Sequence, residues 1–368
     1  MSLHDSAPGR SCSVVDVQTP ARLHLGMLSF GVPHVRAYGG VGVMIDRPGV
    51  HLRMALRPAA AGERCTATGP LADRAAGFAR SCVEAWRLPD DAACTVEVLA
   101  VPGSHAGLGS GTQLGLAVAA GMRQLFRPPP AAAACGAVLR FDDHEAVELA
   151  RAVGRGRRSC VGIYGFSGGG LVIEGGRIVP ADRSPEDDAT RPFSPLLARV
   201  HLPANWRCVV FGMRDAEGLH GAAEKAAFAS LPSVPLEISA ELSRVAVMEL
   251  WPAAVEGRFA EFSEALLRYG LLAGKPFEQA SSSLPYAGTT ARLIDTLHEL
   301  GIRGCGQSSW GPTVMACCES PEAADALVAR FAATDLSGHY DTLVARFARD
   351  GAGVREIAAD QARATGRP

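Results

Sequence analysis

The chain has 368 residues, 48% of them apolar and 20% charged, with a formal net charge of −2. That length gives room for about two domains, each able to bury its own core, and the near-neutral balance leaves no broad electrostatic footprint for nucleic acid or an anionic membrane. Lys225 and Lys275 are the only lysines, so nearly all positive charge sits on planar guanidinium groups suited to bidentate phosphate or carboxylate contacts. The N-terminal run MSLHDSAPGRSCSVV lacks the basic start and apolar stretch of a signal peptide, and no apolar run reaches membrane-spanning length. Ten cysteines without a Cys-x-x-Cys pair read as reduced thiols, which implies a cytoplasmic protein.

In chain order, Arg22 and His24 alternate within TPARLHLG (Thr19 to Gly26), a strand pattern that puts both on one side. Val50, Leu52, Met54 and Leu56 alternate with His51, Arg53 and Ala55, which predicts a half-buried strand. Cys94 to Val101 predicts another strand, and Leu114, Val118, Gly121, Met122 and Leu125 give Ser110 to Phe126 a helical period. Pro128-Pro129-Pro130 marks a loop. Phe141-Asp142-Asp143 resembles the acidic motif of ordinary phosphoribosyltransferases but lacks their threonine-glycine loop, so its carboxylates read as N-terminal decoration of the helix that follows.

Leu171 to Val179 predicts a hairpin turning at Gly175-Gly176. The charged, proline-bearing stretch Ala181 to Pro195 places a domain boundary there, giving residues 1–195 and 196–368. Beyond it, Cys208 to Met213 predicts a strand. Phe259, Phe262, Leu266 and Tyr269 share one helical face, as do Ala324, Leu327, Val328 and Phe331. Strands interleaved with helices in both halves make the fold class α+β.

The stretch with most chemical content is PGSHAGLGSGTQ, Pro102 to Gln113, between a predicted strand and a predicted helix. Gly107, Gly109 and Gly111 let the backbone approach a ligand closely, Ser110 and Thr112 suit the helix cap, and the free amides of the helix start favour an anion. Near the end, GCGQSSWGPT (Gly304 to Thr313) is a second glycine-rich segment, followed by apolar Val314-Met315-Ala316.

With TPARLHLG, these segments resemble, in order and spacing, the three signature motifs of the GHMP kinase superfamily, which includes galactokinase, homoserine kinase and mevalonate kinase. The resemblance covers nearly the whole chain. It implies a two-domain GHMP kinase-like fold, with an N-terminal βαβ-type domain carrying the phosphate loop and a C-terminal ferredoxin-like domain. The wording of SHAGLGSGTQLGLA, of GRGRRSCVGIYGFSGGGLVIEGG (Gly154 to Gly176), of GLHGAAEKAAF from Gly218 and of GCGQSSWGPT is similar, more narrowly, to the β-ribofuranosylaminobenzene 5′-phosphate synthase family. That family condenses 4-aminobenzoate with phosphoribosyl pyrophosphate in methanopterin biosynthesis, releasing CO2 and pyrophosphate. The resemblance implies a homodimer, and the pyrophosphate substrate implies Mg2+.

For such a reaction the candidate catalytic residues are Arg22, His24, Arg158 and Glu224. Candidate contacts to substrate or phosphate are His105, Gly107, Leu108, Gly109, Ser110, Gly111, Thr112 and Gln113 in the loop. Arg155, Arg157 and Ser159 in the arginine-rich turn, His220 four residues before Glu224, and Gln307, Ser308, Ser309 and Trp310 in the last motif complete the set. Two other readings stand beside it. One is a small-molecule kinase using ATP, against which Gly111-Thr112 and the lack of Asp from Gly154 to Gly176 both count. The other is a non-catalytic ligand sensor, against which counts the lack of a helix-turn-helix or basic arm.

Overall fold

The computed structural model describes residues 14–32, 36–57, 64–103, 107–127, 136–178, 192–214, 231–278, 288–309 and 312–358. The first sheet contains eight strands. They are β1 (Val14–Ser29), β2 (Tyr38–Leu56), β3 (Cys65–Thr68), β4 (Cys94–Ala100), β5 (Val138–Leu139), β6 (Leu171–Glu174), β7 (Leu196–Val200) and β12 (Gly353–Ile357). Six run in the order β3-β4-β2-β1-β12-β5, while β6 pairs with both β2 and β7. Both β7 and β12 come from beyond Pro195, so the sheet draws on both halves of the chain. Four helices pack on its first core: α1 (Ala72–Ala85), α2 (Ser110–Phe126), α3 (Asp143–Ala152) and α4 (Val161–Gly168).

The second sheet is antiparallel, in the order β11 (Tyr340–Arg346), β8 (Arg207–Met213), β10 (Val314–Cys318), β9 (Cys305–Gln307). With helices Phe259–Glu278 and Thr289–Glu299 before β9, and Pro321–Ala332 before β11, this is the ferredoxin-like arrangement. Alternation along β8 explains its two buried faces. Cys208 and Val210 join the core shared with the first sheet, whereas Val209 and Phe211 join the core under Leu293, Leu297, Leu327 and Phe331.

An irregularity in the pairing of β1 with β2 decides where the chemistry lies. Before it, Val15 and Val17 face the core under α1–α4. Between Thr19 and Ala21 the register with β2 shifts. Because side-chain direction has period two, this slip reverses the faces: Ala21, Leu23 and Leu25 then point into the inter-sheet core. Arg22 and His24 are thereby turned toward the starts of α2 and α4. Gly26 sits where the helix Phe259–Glu278 crosses β1, and a Cβ there would collide with that of Ala273. Tyr269 donates its hydroxyl to the Gly26 carbonyl at 3.0 Å.

The expected strands at 50–56, 94–101 and 208–213 and the helix Ser110–Phe126 are present. The expected hairpin is different. Leu171 to Glu174 run along β2, and Arg177 bridges Ala37 in the same register, so the chain does not turn at Gly175-Gly176. The backbone bond from the Gly175 amide to Pro195 shows that the return strand is still paired there. Asp142 is the cap of α3: it accepts from the Glu145 amide at 2.8 Å while Glu145 accepts from the Asp142 amide at 3.0 Å, a capping box. The FDD sequence is thus a helix start. The described cysteines are buried free thiols.

Candidate active site

The three signature segments meet at one hydrogen-bonded junction. The Arg22 amide donates to the Leu108 carbonyl at 3.1 Å, which ties β1 to the glycine loop. Ser308, fully buried, accepts from the His24 amide at 3.0 Å and donates its hydroxyl to the Gly107 carbonyl at 2.8 Å. The Ser309 amide returns to the His24 carbonyl at 3.0 Å, and Ser309 holds a left-handed φ of 56°. Ser308 was expected to donate to a substrate phosphate; its hydroxyl instead brackets the first motif to the second. Gln307 is buried in β9, with its side-chain amide 3.4 Å from the Ser309 carbonyl.

At the loop itself, Gly109 takes the cap position of α2 with φ 71°, and no side chain caps the helix. Ser110 and Thr112 are therefore not caps. Ser110 is buried in the first turn, and Thr112 lies with its methyl against Gly162. The reason is steric: only a residue tolerant of the left-handed region brings the chain into the helix from this direction. The Thr112 amide donates to the Gly109 carbonyl at 3.0 Å, which leaves the Ser110 and Gly111 amides of the first turn for an anion. Gln113 is wholly buried and donates to the Gly162 carbonyl at 2.8 Å, linking α2 to α4.

Arginines surround this helix start. A Cβ on Gly109 would lie 3.1 Å from both Cβ and Nε of Arg22. A Cβ on Gly111 would collide with the guanidinium of Arg74, so Gly111 leaves room for an arginine from α1. Arg74 and Arg155 both lie over the Phe78 ring, their guanidinium carbons 5.9 and 4.9 Å from its centroid. Arg74 was missed in the sequence because one arginine in an amphipathic helix carries no signal of its own. Arg155 is half-buried by this stacking. Arg157 is exposed and its guanidinium lies near Gly154, while its carbonyl accepts from Arg177. The turn thus does not bring all three arginines to one point.

His24 is 4% exposed, and its Nε2 lies 3.2 Å from Ser159 Oγ. Ser159 donates to Glu174 Oε1 at 2.6 Å, and the other carboxylate oxygen accepts the Cys160 amide at 2.7 Å, at the start of α4. Burial, with the positive charges of Arg22 and Arg158 beside it, pushes the His24 pKa down to about 3. Burial also raises the Glu174 pKa above the usual carboxylate range, against the lowering effect of its bonds to Ser159 and the Cys160 amide. Glu174 was passed over because it ends an apolar strand run; a lone carboxylate among apolar residues and glycines was the signal available.

His105, His220, Glu224 and Trp310 lie outside the described residues. Among the described residues no group of three or more His, Cys, Asp and Glu could hold a metal ion. No described helix is long and apolar enough to cross a membrane.

No family model matches the chain. The β-ribofuranosylphenol 5′-phosphate synthase of Archaeoglobus fulgidus is 29% identical over 319 residues, covering 83% of this chain and 88% of that protein. The synthase of the same name from Methanothermobacter thermautotrophicus is 27% identical over 306 residues, covering 81% and 87%. Among solved structures, homoserine kinase from Cytophaga hutchinsonii superposes with a TM-score of 0.59 at 16% identity, covering 96% of this chain and all of that one. Mevalonate pyrophosphate decarboxylase from Streptococcus pyogenes gives 0.63 at 13% identity, covering 93% and 98%. With its three signature segments joined at one junction, the chain is similar along most of its length to the β-ribofuranosylphenol 5′-phosphate synthases, and it shares the two-domain fold of homoserine kinase and mevalonate pyrophosphate decarboxylase.

Proposed function

We propose that the protein is a decarboxylating phosphoribosyltransferase that joins C1′ of phosphoribosyl pyrophosphate to the carboxyl-bearing carbon of a para-substituted benzoate. One observation carries this reading: an uncapped helix start at Gly109 to Gly111, flanked by Arg22 and Arg74, bonded into the same junction as His24 and Ser308. Departure of pyrophosphate leaves an oxocarbenium-like ribose, so the first demand on the site is to stabilise negative charge on the leaving group. Preorganised amides and guanidinium groups do this at little reorganisation cost. Arg22 and Arg74 face that charge, and Arg158 adds positive potential beside His24. Mg2+ would enter with the pyrophosphate and neutralise it further.

The nucleophile is the ring carbon that carries the carboxylate, made electron-rich by a para donor. After the C–C bond forms, loss of CO2 restores aromaticity, so alignment of ring and ribose does much of the work. The relatives' name specifies a phenol product, and we take 4-hydroxybenzoate, alongside 4-aminobenzoate, as the acceptor to test, with methanopterin biosynthesis as the setting. The reading further includes a cytoplasmic homodimer. A kinase reading has less support, since Gly154 to Gly176 offers one buried glutamate and no aspartate for an alcohol substrate.

The deciding experiment supplies carboxyl-labelled benzoate with phosphoribosyl pyrophosphate and Mg2+. Labelled CO2 and pyrophosphate should appear in equal amounts, and only when both substrates are present. Release of CO2 from the benzoate alone would make the protein a simple decarboxylase, and ATP-dependent phosphorylation of an alcohol would make it a kinase.

A further inference from the structure

The three-residue chain from His24 through Ser159 to Glu174 has a fixed polarity. Ser159 owns a single hydroxyl proton and spends it on Glu174 Oε1 at 2.6 Å. Its oxygen must then accept at 3.2 Å from His24, so the imidazole proton sits on Nε2 and Nδ1 is left as a lone pair. Ser159 also accepts the Val161 amide at 3.3 Å, and Glu174 Oε2 accepts the Cys160 amide at 2.7 Å, so α4 holds both groups in place. Among the described residues nothing bonds to His24 Nδ1.

His24 is badly placed to become a cation. It is buried, and the charged groups facing it are Arg22 on its own strand and Arg158 ahead of α4. Glu174, fully buried, faces Ser159, Cys160 at the cap of α4, Tyr164 within α4 and Ser194. We propose that Ser159 and Glu174 form a proton relay that lets His24 take and return the para-hydroxyl proton of the aromatic substrate while its ring stays neutral. The proposal rests on the reaction given above for the identity of that substrate.

The step balances as follows. The phenolic O–H breaks and its proton goes to Nδ1, the Nε2 proton moves to Ser159 Oγ, and the Ser159 proton moves to Glu174 Oε1. The released electron pair flows through the ring, whose carboxyl-bearing carbon bonds to C1′ as pyrophosphate leaves with the C1′–O pair. The bond to the carboxylate then breaks and its pair restores the aromatic ring. CO2 departs and the para oxygen recovers its proton as the relay runs backwards. Raised basicity of Glu174, which burial supplies, is what a terminal proton acceptor requires. Ser159 and Glu174 act through His24 and are positioning residues.

Two readouts test this. In 15N NMR of the imidazole ring at neutral pH, the parent should show His24 protonated on Nε2. In Glu174→Gln the amide oxygen should keep the Cys160 N–H while the NH2 turns to Ser159, which must then donate to Nε2, so His24 should flip to the Nδ1–H form. With 4-hydroxybenzoate, kcat of this variant should fall about 100-fold or more, with KM for phosphoribosyl pyrophosphate near the parent's. With 4-methoxybenzoate, an electron donor without the proton, parent and variant should turn over equally slowly. Ser159→Ala, which breaks the same chain without altering the carboxylate, should reproduce the substrate-selective loss.

An Nδ1–H tautomer in the parent, an unmoved tautomer in a folded Glu174→Gln protein, or equal losses on both benzoates would overturn the relay. If the tautomer flips as stated while no benzoate reacts even with the parent, the relay stands and the reaction assignment falls.

Discussion

Acid should destabilise this protein through His24, by an amount that can be worked out. An isolated histidine titrates near 6.5, and burial beside Arg22 and Arg158 lowers His24 to about 3 in the fold. The unfolded chain therefore binds a proton across that window and the native state does not. The sign follows: the contribution is fully present above pH 6.5 and is lost as pH falls toward 3. At about 1.4 kcal/mol per pKa unit the whole window amounts to at most about 5 kcal/mol, of which about 2 kcal/mol is lost between pH 7 and pH 5. Glu174 works in the opposite direction. Its raised value makes the native state the stronger proton binder, so acid stabilises through it, but it is common to both proteins compared here. Urea unfolding of the parent and of His24→Asn at pH 7 and pH 5 isolates the histidine, because any fixed cost of the substitution cancels when the two pH values are subtracted. The parent should lose about 2 kcal/mol more than the variant over that interval. Parallel losses in the two proteins would mean that His24 is protonated in the native state, and the account of its electrostatics would fail.

Gly109→Ala should strain the backbone by about 1–2 kcal/mol at φ 71° and press on Arg22, weakening phosphoribosyl pyrophosphate binding in a protein whose circular dichroism is unchanged; parental affinity by calorimetry would remove the loop from the phosphate site. Arg158→Lys keeps the charge but loses the planar fork, so kcat/KM should drop at least tenfold, and parental turnover would place Arg158 outside the reaction. Ser308→Ala leaves the His24 amide and the Gly107 carbonyl without their buried partner, which should cost about 1–3 kcal/mol in urea unfolding; a neutral result would show that the junction rearranges freely.

Much of the site was legible because it is local. The Ser110 to Phe126 helix, the glycines before it and the wording of the three segments need only neighbours along the chain to be read. The hairpin expectation failed for a long-range reason: Gly175 and Gly176 look like a turn, yet pairing with Ala37 to Gly40 keeps that segment extended. The caps failed similarly, since Ser110 and Thr112 are good cap residues by type but the path of the loop places Gly109 at the cap.

By itself the sequence determined the α+β class, the glycine-rich entry to the Ser110–Phe126 helix and the membership of Arg22 and His24 in one strand face. Tertiary structure decided which face that is. The shift in β1–β2 register between Thr19 and Ala21, where β2 runs five residues against two of β1, turns Arg22 and His24 toward α2 and α4, and such an offset is invisible in a hydrophobic pattern that stays apolar on both sides of it. It also decided that Ser159 bonds to Glu174 and His24, residues 15 and 135 positions away, and that Arg74 reaches over Gly111 from another helix. Such pairings depend on where whole elements cross, and burial, which sets the proton affinities of His24 and Glu174, exists only once they have.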